Sequence, residues 1–224
     1  MKPWEVLGET QTPDGTAMAL TRRDREFVIL ANGKSLMSSL MHGSEEALAT
    51  LACPRLRHMK APSVLIGGLG MGFTLRATLD LLPRDAIVTV AELVPAVVEW
   101  NRGPLAPLAD HPLKDKRVRV IVGDVIRVLA SSHKQYDAIL LDVDNGPAPF
   151  TAAANAGLYD DRGLASARAA LKDGGVLAIW SAWDNVKFVQ RLRYAKFEVT
   201  VEHVRGRLKK GGPHHTIFLA RASS

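Results

Sequence analysis

Glycines interrupt an apolar run at the start of the segment VLIGGLGMGF, which spans residues 64–73. The glycines are Gly67, Gly68, Gly70 and Gly72. A glycine-rich turn between a strand and a helix allows a phosphate, a ribose or an amino-acid group to approach the main chain, because no Cβ atom stands in the way. The spacing alone is shared by nicotinamide, flavin and adenosylmethionine sites and by turns without a ligand. We interpret this loop as the floor of a ligand site.

Acidic residues follow the next three apolar runs along the chain. Glu92 ends the run AIVTVAE, and Asp124 follows VRVIVG. The run YDAILL is followed by Asp142 and Asp144. An acid about twenty residues beyond a glycine loop can accept hydrogen bonds from both hydroxyls of a ribose, and Asp124 is placed to meet an adenine amino group. The alternative that Glu92 and Asp124 only form turns or cap helices stays open.

The elements that position these residues begin at residue 62, where short apolar runs alternate with longer helical stretches. The runs are SVLIGG, AIVTVAEL, VRVIVGD, YDAILLD, GVLAIWSA, FEVTVEHV and HTIFLAR. Runs that are apolar on both faces, with helices between them, indicate a parallel sheet covered on both sides. We predict an α/β fold over residues 61–224 with a doubly wound, mostly parallel, seven-stranded sheet. The carboxyl ends of its strands bring the glycines and acids to one edge.

The chain before this domain has a different pattern. Residues 1–43 alternate between apolar and polar and contain Asn32-Gly33, a pair suited to the positive φ angles of a tight hairpin. We predict a small antiparallel β-hairpin appendage there. Residues 44–60 have apolar residues at helical spacing after Ser44, a good N-cap residue, and two acids in the first turn. This segment is predicted to be a linker helix.

Composition and charge narrow the class of protein. The chain of 224 residues is 47% apolar and 23% charged, as in folded globular proteins, and its single cysteine, Cys53, has apolar neighbours that favour a buried thiol. Because no stretch could span a bilayer and the start lacks the apolar core of a secretion signal, we expect a cytoplasmic protein. His214 and His215 lack a third ligand at a useful spacing, so no metal is expected. The net charge of +6 is spread over several clusters, which favours a solvated surface over an RNA-binding face.

Five segments carry a resemblance to a known family. They are VLIGGLGMGFTLR, VAELVPAVVEWNR, VRVIVGDVIRVL, YDAILLDVDNGPAP and LYDDRGLASARAALKDGGVLAIW. As an ordered set they resemble the spermidine synthase family of polyamine aminopropyltransferases, which has the class I S-adenosylmethionine-dependent methyltransferase fold. The likeness runs from about Ala61 to Trp180 and continues weakly to the last strand.

The resemblance implies a donor of the S-adenosylmethionine type, a small N-terminal β domain and a homodimer. It also implies that Asp142 helps to deprotonate the attacking amine, with Asp144 as a second candidate. A carboxylate suits this role because an alkyl ammonium with a pKa near 10 must lose a proton before it attacks carbon. Cofactor contacts are predicted for Gly67, Gly68, Gly70, Gly72, Glu92, Leu93, Gly123, Asp124, Val125 and Asp142.

Three positions depart from the pattern of the family. Gly70 stands where the family carries an aspartate that touches the aminopropyl amine of decarboxylated S-adenosylmethionine, so intact S-adenosylmethionine becomes more acceptable. Residues 44–46, Ser-Glu-Glu, replace a tyrosine-histidine-glutamate run in which only the last residue matches, and an asparagine replaces a second aspartate. These changes indicate an altered acceptor or donor. The predicted substrate-binding residues are Glu46, Asn145, Tyr159 and Trp183.

Alternatives stay open for two of these residues and for the function. Tyr159 could close over substrate or lie on the surface, and Trp183 could line the pocket or pack in the core. The leading function is a spermidine synthase-like transfer of an aminopropyl group from decarboxylated S-adenosylmethionine to a polyamine amine. The alternatives are an S-adenosylmethionine-dependent methyltransferase that acts on a small amine or, less favoured, on RNA, and a non-catalytic adenosyl-binding protein. A nicotinamide dehydrogenase fits the segments GDV and LLDVDNGP poorly.

Overall fold

Eleven strands and six α-helices form within the part of the chain that the computed structural model describes, which is residues 2–143, 157–207 and 212–222. The strands are β1 (Glu5–Gln11), β2 (Ala17–Arg23), β3 (Glu26–Ala31), β4 (Lys34–Ser38), β5 (Ser63–Gly67), β6 (Ile87–Glu92), β7 (Val118–Val122), β8 (Tyr136–Leu141), β9 (Leu171–Ser181), β10 (Phe197–Arg205) and β11 (His214–Ala222). The helices are α1 (Gly43–Ala52), α2 (Phe73–Leu81), α3 (Pro95–Arg102), α4 (Val125–Ala130), α5 (Asp161–Ala170) and α6 (Val186–Tyr194). Within those ranges, none of the helices has the length and apolar character needed to cross a membrane.

The sheet formed by β5–β11 has the strand order β10-β11-β9-β8-β5-β6-β7. Strand β11 is antiparallel to both of its neighbours, whereas the pairs from β9 through β8, β5 and β6 to β7 are parallel. This arrangement confirms the predicted fold class and all seven predicted strands. Every residue of β8 is buried, as are Val64, Leu65 and Ile66 of β5. Both strands are continuous apolar runs because apolar clusters cover both faces of the sheet.

Strands β1–β4 form a separate four-stranded antiparallel sheet, which is larger than the predicted hairpin appendage. The turn between β3 and β4 has Asn32 and Gly33 at φ angles of 47° and 74°, as the predicted hairpin requires. Buried Leu20 and Ile29 of this sheet belong to the same apolar cluster as Trp100 of α3. The N-terminal sheet is therefore packed onto the larger domain and can wall a site on it.

Helix α1 is part of the core as well as a connection. It packs against α2 and β9. It begins at Gly43 with His42 at the N-cap position, so Ser44 is not the cap that the sequence predicts. Ser44 is fully buried in the first turn, where its hydroxyl donates to Glu45. The predicted buried thiol is confirmed, because Cys53 is fully buried and burial raises the pKa of its thiol to about 12.

The predicted site residues meet at one edge of the larger sheet. Gly67 ends β5, Glu92 ends β6, Asp124 precedes α4 and Asp142 follows β8. Strand β5 lies between β8 and β6, so the chain leaves the central strands in opposite directions. Open α/β sheets bind their ligands at such a point, outside the carboxyl ends of the strands. Asp144 and Asn145 lie outside the described residues.

Candidate active site

A cavity of about 530 Å³ opens at this edge of the sheet. Its floor is the glycine loop, and its sides are the ends of β6 and β8 and the start of α4. Eight of the ten residues predicted to contact a cofactor line it. These are Gly68, Gly70, Glu92, Leu93, Gly123, Asp124, Val125 and Asp142. Prediction from motifs therefore found most of the lining that the β5–β11 domain contributes.

At Gly68, the backbone conformation and the close approach of Asp142 both require glycine. This residue has a φ angle of +88°, and a Cβ atom there would lie 2.3 Å from the carbonyl oxygen of Asp142. The loop can therefore lie directly against the end of β8 only without a side chain. The remaining two predicted residues, Gly67 and Gly72, do not line the cavity. A Cβ atom on Gly67 would meet Val125, and Gly72 precedes α2 at a φ angle of +86°.

Glu92 ties the glycine loop to the end of β6. One carboxylate oxygen accepts a hydrogen bond from the Leu69 N–H at 2.8 Å, and the other accepts from the Val94 N–H at 2.9 Å. Its side chain is 7% exposed. Because a carboxylate can accept about four hydrogen bonds, it can take ligand hydroxyls in addition to these backbone donors. Glu92 thus has a turn-forming role, and its contact with a ribose stays a prediction.

Asp124 caps helix α4. Its Oδ1 atom accepts a hydrogen bond from the Ile126 N–H at 2.8 Å, so the capping alternative is observed. The residue also lines the cavity. An aspartate that caps a helix through Oδ1 can also accept a hydrogen bond from a ligand through Oδ2. The contact of Asp124 with adenine stays a prediction.

Asp142 is held where β8 ends against the glycine loop. Its backbone N–H donates to the Gly67 carbonyl at 2.9 Å, and its Oδ2 atom accepts a hydrogen bond of 2.6 Å from the hydroxyl of Thr74 on α2. Burial raises the pKa of this carboxyl to about 6, and the hydrogen bond from Thr74 opposes that rise. A carboxyl group with this pKa is largely ionised at neutral pH and can still accept a proton from a bound amine.

Glu45 is a functional candidate that the family pattern, which points to Glu46, does not single out. It lies in the first turn of α1 and lines a second, small cavity together with Gly70, Thr74 and Asp142. Burial and the charge of Asp142 raise the pKa of the Glu45 carboxyl to about 8. No group of three or more His, Cys, Asp or Glu side chains in residues 2–143, 157–207 and 212–222 is arranged to hold a metal ion.

A signal for Glu45 was present in the helix periodicity. Position 45 precedes the buried residues Leu48, Ala49 and Ala52 by three, four and seven positions, so it lies on the buried face of α1. Glu46 lies beside that face, and its carboxylate contacts the His42 Nδ1 atom at 2.7 Å. Glu46 lines neither of the two cavities. Its role in substrate binding stays a prediction.

The structure places the two predicted aromatic substrate residues away from both cavities. Tyr159 is 3% exposed and packs edge-on against Phe188 at 5.8 Å between ring centroids, so it is a core residue and neither a lid nor a surface residue. Trp183 is 50% exposed and lies in the turn after β9, where its backbone carbonyl accepts a hydrogen bond from Ser181. Trp183 is therefore not a core residue either.

The N-terminal sheet supplies a cavity wall that no motif predicted. The lining includes Thr12, Asp14 and Thr16 from the β1–β2 turn, with Met18 and Met37 from the strands, and Met37 lies beside Gly70 of the glycine loop. Short antiparallel strands carry no sequence signature for a ligand, and only their packing onto the larger domain brings them to the site.

Comparison with known proteins agrees with this geometry. The family model of the spermine/spermidine synthase domain matches residues 41–204. The chain is 30% identical over 157 residues to a polyamine aminopropyltransferase of Korarchaeum cryptofilum, covering 69% of this chain and 47% of that protein. It is 29% identical over 143 residues to a polyamine aminopropyltransferase of Saccharolobus solfataricus, covering 62% and 46%. The chain spans about half the length of the curated relatives it matches.

Solved structures show the same fold. The crystal structure of spermidine synthase from Thermotoga maritima superposes with a TM-score of 0.72 at 17% identity, covering 96% of this chain and 72% of that chain. A spermidine synthase in complex with the transition-state analogue AdoDATO gives a TM-score of 0.69 at 18% identity. Because the family model covers most of the sequence, the chain belongs to the spermine/spermidine synthase family.

Proposed function

We propose that this chain transfers the aminopropyl group of decarboxylated S-adenosylmethionine to an amine of a polyamine. The observation that carries the proposal, besides the family, is the charge of the site. The described residues that line the two cavities include five acids and no Lys, Arg or His. The acids are Asp14, Glu45, Glu92, Asp124 and Asp142. In a chain with a net charge of +6, such a lining favours a cationic ligand and disfavours RNA.

The proposed reaction is a single displacement at carbon. The amine nitrogen of the acceptor attacks the propyl carbon next to the sulfonium, the carbon–sulfur bond breaks, and methylthioadenosine leaves with the bonding electron pair. A sulfonium is already a good leaving group. The protein therefore contributes mainly orientation of the two substrates and exclusion of water.

Asp142 is the proposed base. Its Oδ2 atom is occupied by Thr74, so the Oδ1 atom is the one offered to the acceptor amine. A carboxylate at this place attracts the ammonium form of the acceptor and accepts the proton that must leave before attack. In the same proposal, Glu92 binds the ribose hydroxyls, Asp124 faces the adenine, and the glycine loop lies against the adenosyl group.

Methyl transfer from intact S-adenosylmethionine is the second candidate, and Gly70 favours it. A Cβ atom at Gly70 would lie 2.8 Å from the terminal methyl group of Met37, so an uncharged side chain fills the space beside the loop. The carboxylate of the intact donor would, however, lie close to the ionised Asp142. Repulsion from this carboxylate makes the decarboxylated donor the better fit.

Calorimetric titration tests the donor. The purified chain is titrated with methylthioadenosine, S-adenosylmethionine and decarboxylated S-adenosylmethionine, each with and without putrescine. We expect the decarboxylated donor to bind at least about tenfold more tightly than the intact one, because a carboxylate is repelled by the acidic lining. Tighter binding of intact S-adenosylmethionine, with no effect of putrescine, would support methyl transfer instead. Light scattering on the same sample tests the predicted homodimer.

Substitution of Glu92 by glutamine tests the adenosyl part of the site. We expect the Kd of methylthioadenosine to rise about 10- to 100-fold, because hydrogen bonds to a buried carboxylate contribute roughly 1.5–3 kcal/mol. Glu99→Gln on the exposed side of α3 is the matched control, since that side chain is 66% exposed and pairs only with Arg102 among the ion pairs of the described residues. An unchanged Kd in Glu92→Gln would remove Glu92 from the ligand site. A melting curve separates loss of contact from loss of the loop.

A further inference from the structure

The small cavity beside Gly70 brings two carboxyl groups from different elements together. Glu45 comes from α1 and Asp142 from the end of β8, and Gly70 and Thr74 complete the lining between them. Gly70, Met37 and Asp142 also line the larger cavity, so the two spaces adjoin. The small cavity has a volume of about 10 Å³, room for one ammonium-sized group beside Glu45 at the end of a tail that extends from the larger cavity.

The hydrogen bonds around Glu45 fix one of its oxygens. The buried hydroxyl of Ser44 donates to the Oε2 atom at 2.7 Å. That hydroxyl lies 2.8 Å from the Nδ1 atom of His215 on β11. Because the Ser44 hydroxyl has one proton, its use toward Glu45 requires that His215 donate to Ser44 from Nδ1. The His215 ring is itself held by the edge of Trp180 at 4.7 Å between ring centroids.

Thr74 lies between the Asp142 carboxyl group and the backbone of Glu45. Its hydroxyl lies 2.6 Å from Asp142 Oδ2 and 3.3 Å from the Glu45 backbone carbonyl, and the shorter contact takes its single proton. Thr74 thus fixes one oxygen of Asp142 and Ser44 donates to one oxygen of Glu45, and both carboxyl groups line the small cavity. Among the described residues that line this cavity, none carries a positive charge.

We infer that Glu45 is the specificity-determining residue that recognises the ammonium group of the donor tail, acting with Asp142 as a two-carboxyl clamp that His215 and Ser44 orient. This assignment rests on the proposed aminopropyl transfer. It places recognition of the donor cation on helix α1, which lies opposite the uncharged Gly70. A tail that carries an ammonium and no carboxylate satisfies both acids at once, whereas a tail with a carboxylate leaves an unfavourable contact.

Binding of such a cation has a signature in protons. Burial and the charge of Asp142 hold the pKa of Glu45 at about 8, so Glu45 is mainly protonated at pH 7 when no ligand is bound. Among the described residues, the other titratable groups near Glu45 are Glu46 in the same turn and His215, which lies behind Ser44. The pKa of His215 is lowered mainly by burial. An ammonium placed between the carboxyl groups favours ionisation of Glu45. Donor binding should therefore release a proton at pH 7.

The experiment compares Glu45→Gln with the wild-type chain by calorimetry at pH 7, in buffers that differ in ionisation enthalpy. The probes are decarboxylated S-adenosylmethionine and methylthioadenosine, which lacks the aminopropyl tail. We expect the wild-type chain to release close to one proton with the donor and none with methylthioadenosine. In Glu45→Gln, the proton release disappears and the preference for the donor over methylthioadenosine falls about tenfold or more, as expected for loss of a charge-assisted contact. Methylthioadenosine itself should bind within about twofold of the wild-type Kd.

Glu99→Gln serves again as the matched control, and Glu46→Gln tests the neighbouring acid as a competitor. Loss of donor preference in Glu46→Gln but not in Glu45→Gln would overturn the assignment, as would proton release that persists in Glu45→Gln. If the wild-type chain binds neither adenosyl probe, the proposed function fails. If it binds both and Glu45→Gln behaves like the wild-type chain, only the role of Glu45 fails.

Folding of the variant can be checked by its own pH dependence. A carboxyl group whose pKa rises from 4.5 to about 8 on folding weakens the native state as pH increases through that range, because the folded chain holds the proton more tightly than the unfolded chain. Glu45→Gln should therefore lose less stability than the wild-type chain between pH 5 and about pH 8. If that variant does not fold, Ser44→Ala keeps the carboxyl and removes its orientation. In Ser44→Ala we expect a smaller loss of donor preference than in Glu45→Gln. Unchanged donor preference would contradict the orienting role of Ser44 and His215.

Discussion

Replacement of Asp142 by asparagine is expected to lower the turnover rate by about 10²- to 10⁴-fold, the range over which a positioned base contributes. Asparagine has nearly the same shape and can still accept the hydrogen bond from Thr74, so the β8 end should keep its structure. It cannot accept a proton from the acceptor amine. The measurement is the initial rate of methylthioadenosine formation from decarboxylated S-adenosylmethionine and putrescine.

The pH profile of the wild-type chain gives an independent test of Asp142. Its carboxyl has a pKa of about 6, so the base is ionised above that pH and protonated below it. The rate should therefore fall as pH decreases through about 6, and this limb should be absent from the residual activity of Asp142→Asn.

The control for this substitution is Asp184→Asn, since Asp184 is 54% exposed and contacts His203 on the surface. A variant at position 142 that retains more than about a tenth of the wild-type rate would remove Asp142 from the role of base. Because Asp142 is also a predicted donor contact, the rate is measured at saturating donor. A saturating rate close to that of the wild-type chain, with only the Kd of the donor raised, would assign Asp142 to donor binding and not to proton transfer.

Replacement of Gly68 by alanine is expected to destabilise the folded chain by about 2–4 kcal/mol and to abolish methylthioadenosine binding. The added Cβ atom would lie 2.3 Å from the carbonyl oxygen and 3.0 Å from the carbonyl carbon of Asp142, both in the backbone. The φ angle of +88° adds strain because residues with a side chain rarely adopt it. The loop must move away from β8, and it takes the cavity floor with it.

Urea denaturation and calorimetric titration measure the two effects of Gly68→Ala. The matched control is Gly157→Ala, because among the described residues a Cβ atom on Gly157 would meet only Ile126, at an ordinary 3.7 Å. The control should change stability by less than about 1 kcal/mol. Wild-type stability and affinity in Gly68→Ala would show that the loop does not depend on this close approach.

Local pattern was sufficient for the larger sheet. Strands such as β5 and β8 are buried on both faces, so their sequences are unbroken apolar runs that end at a glycine or an acid. Because burial on both faces requires consecutive apolar residues, each of these strands can be recognised in the sequence. The edge where Glu92, Asp124 and Asp142 meet followed from this, because the ends of parallel strands converge.

Side-chain partners could not be predicted in the same way. Glu45 and Glu46 are adjacent residues of the same type, and the family pattern points to Glu46. In the structure, however, Glu45 lines the small cavity with Asp142, whereas Glu46 contacts His42. The position of Tyr159 after the Asp142 loop leaves both a place over the substrate and a place on the surface open, whereas the structure packs it against Phe188 of α6. These outcomes depend on how the helices cross the sheet, which short-range periodicity does not record.

The sequence by itself therefore determined which functional residues end the strands of the α/β sheet. These are a glycine loop after the first strand and acids at the ends of the next three strands along the chain. Tertiary structure alone decided that the N-terminal sheet walls the cavity and that Asp14 and Glu45 join the acids of the strand ends there. The physical reason is range. Hydrogen bonding and burial along a strand act between near neighbours, whereas the charge and shape of a cavity come from residues such as Asp14 and Asp142 that only packing brings together.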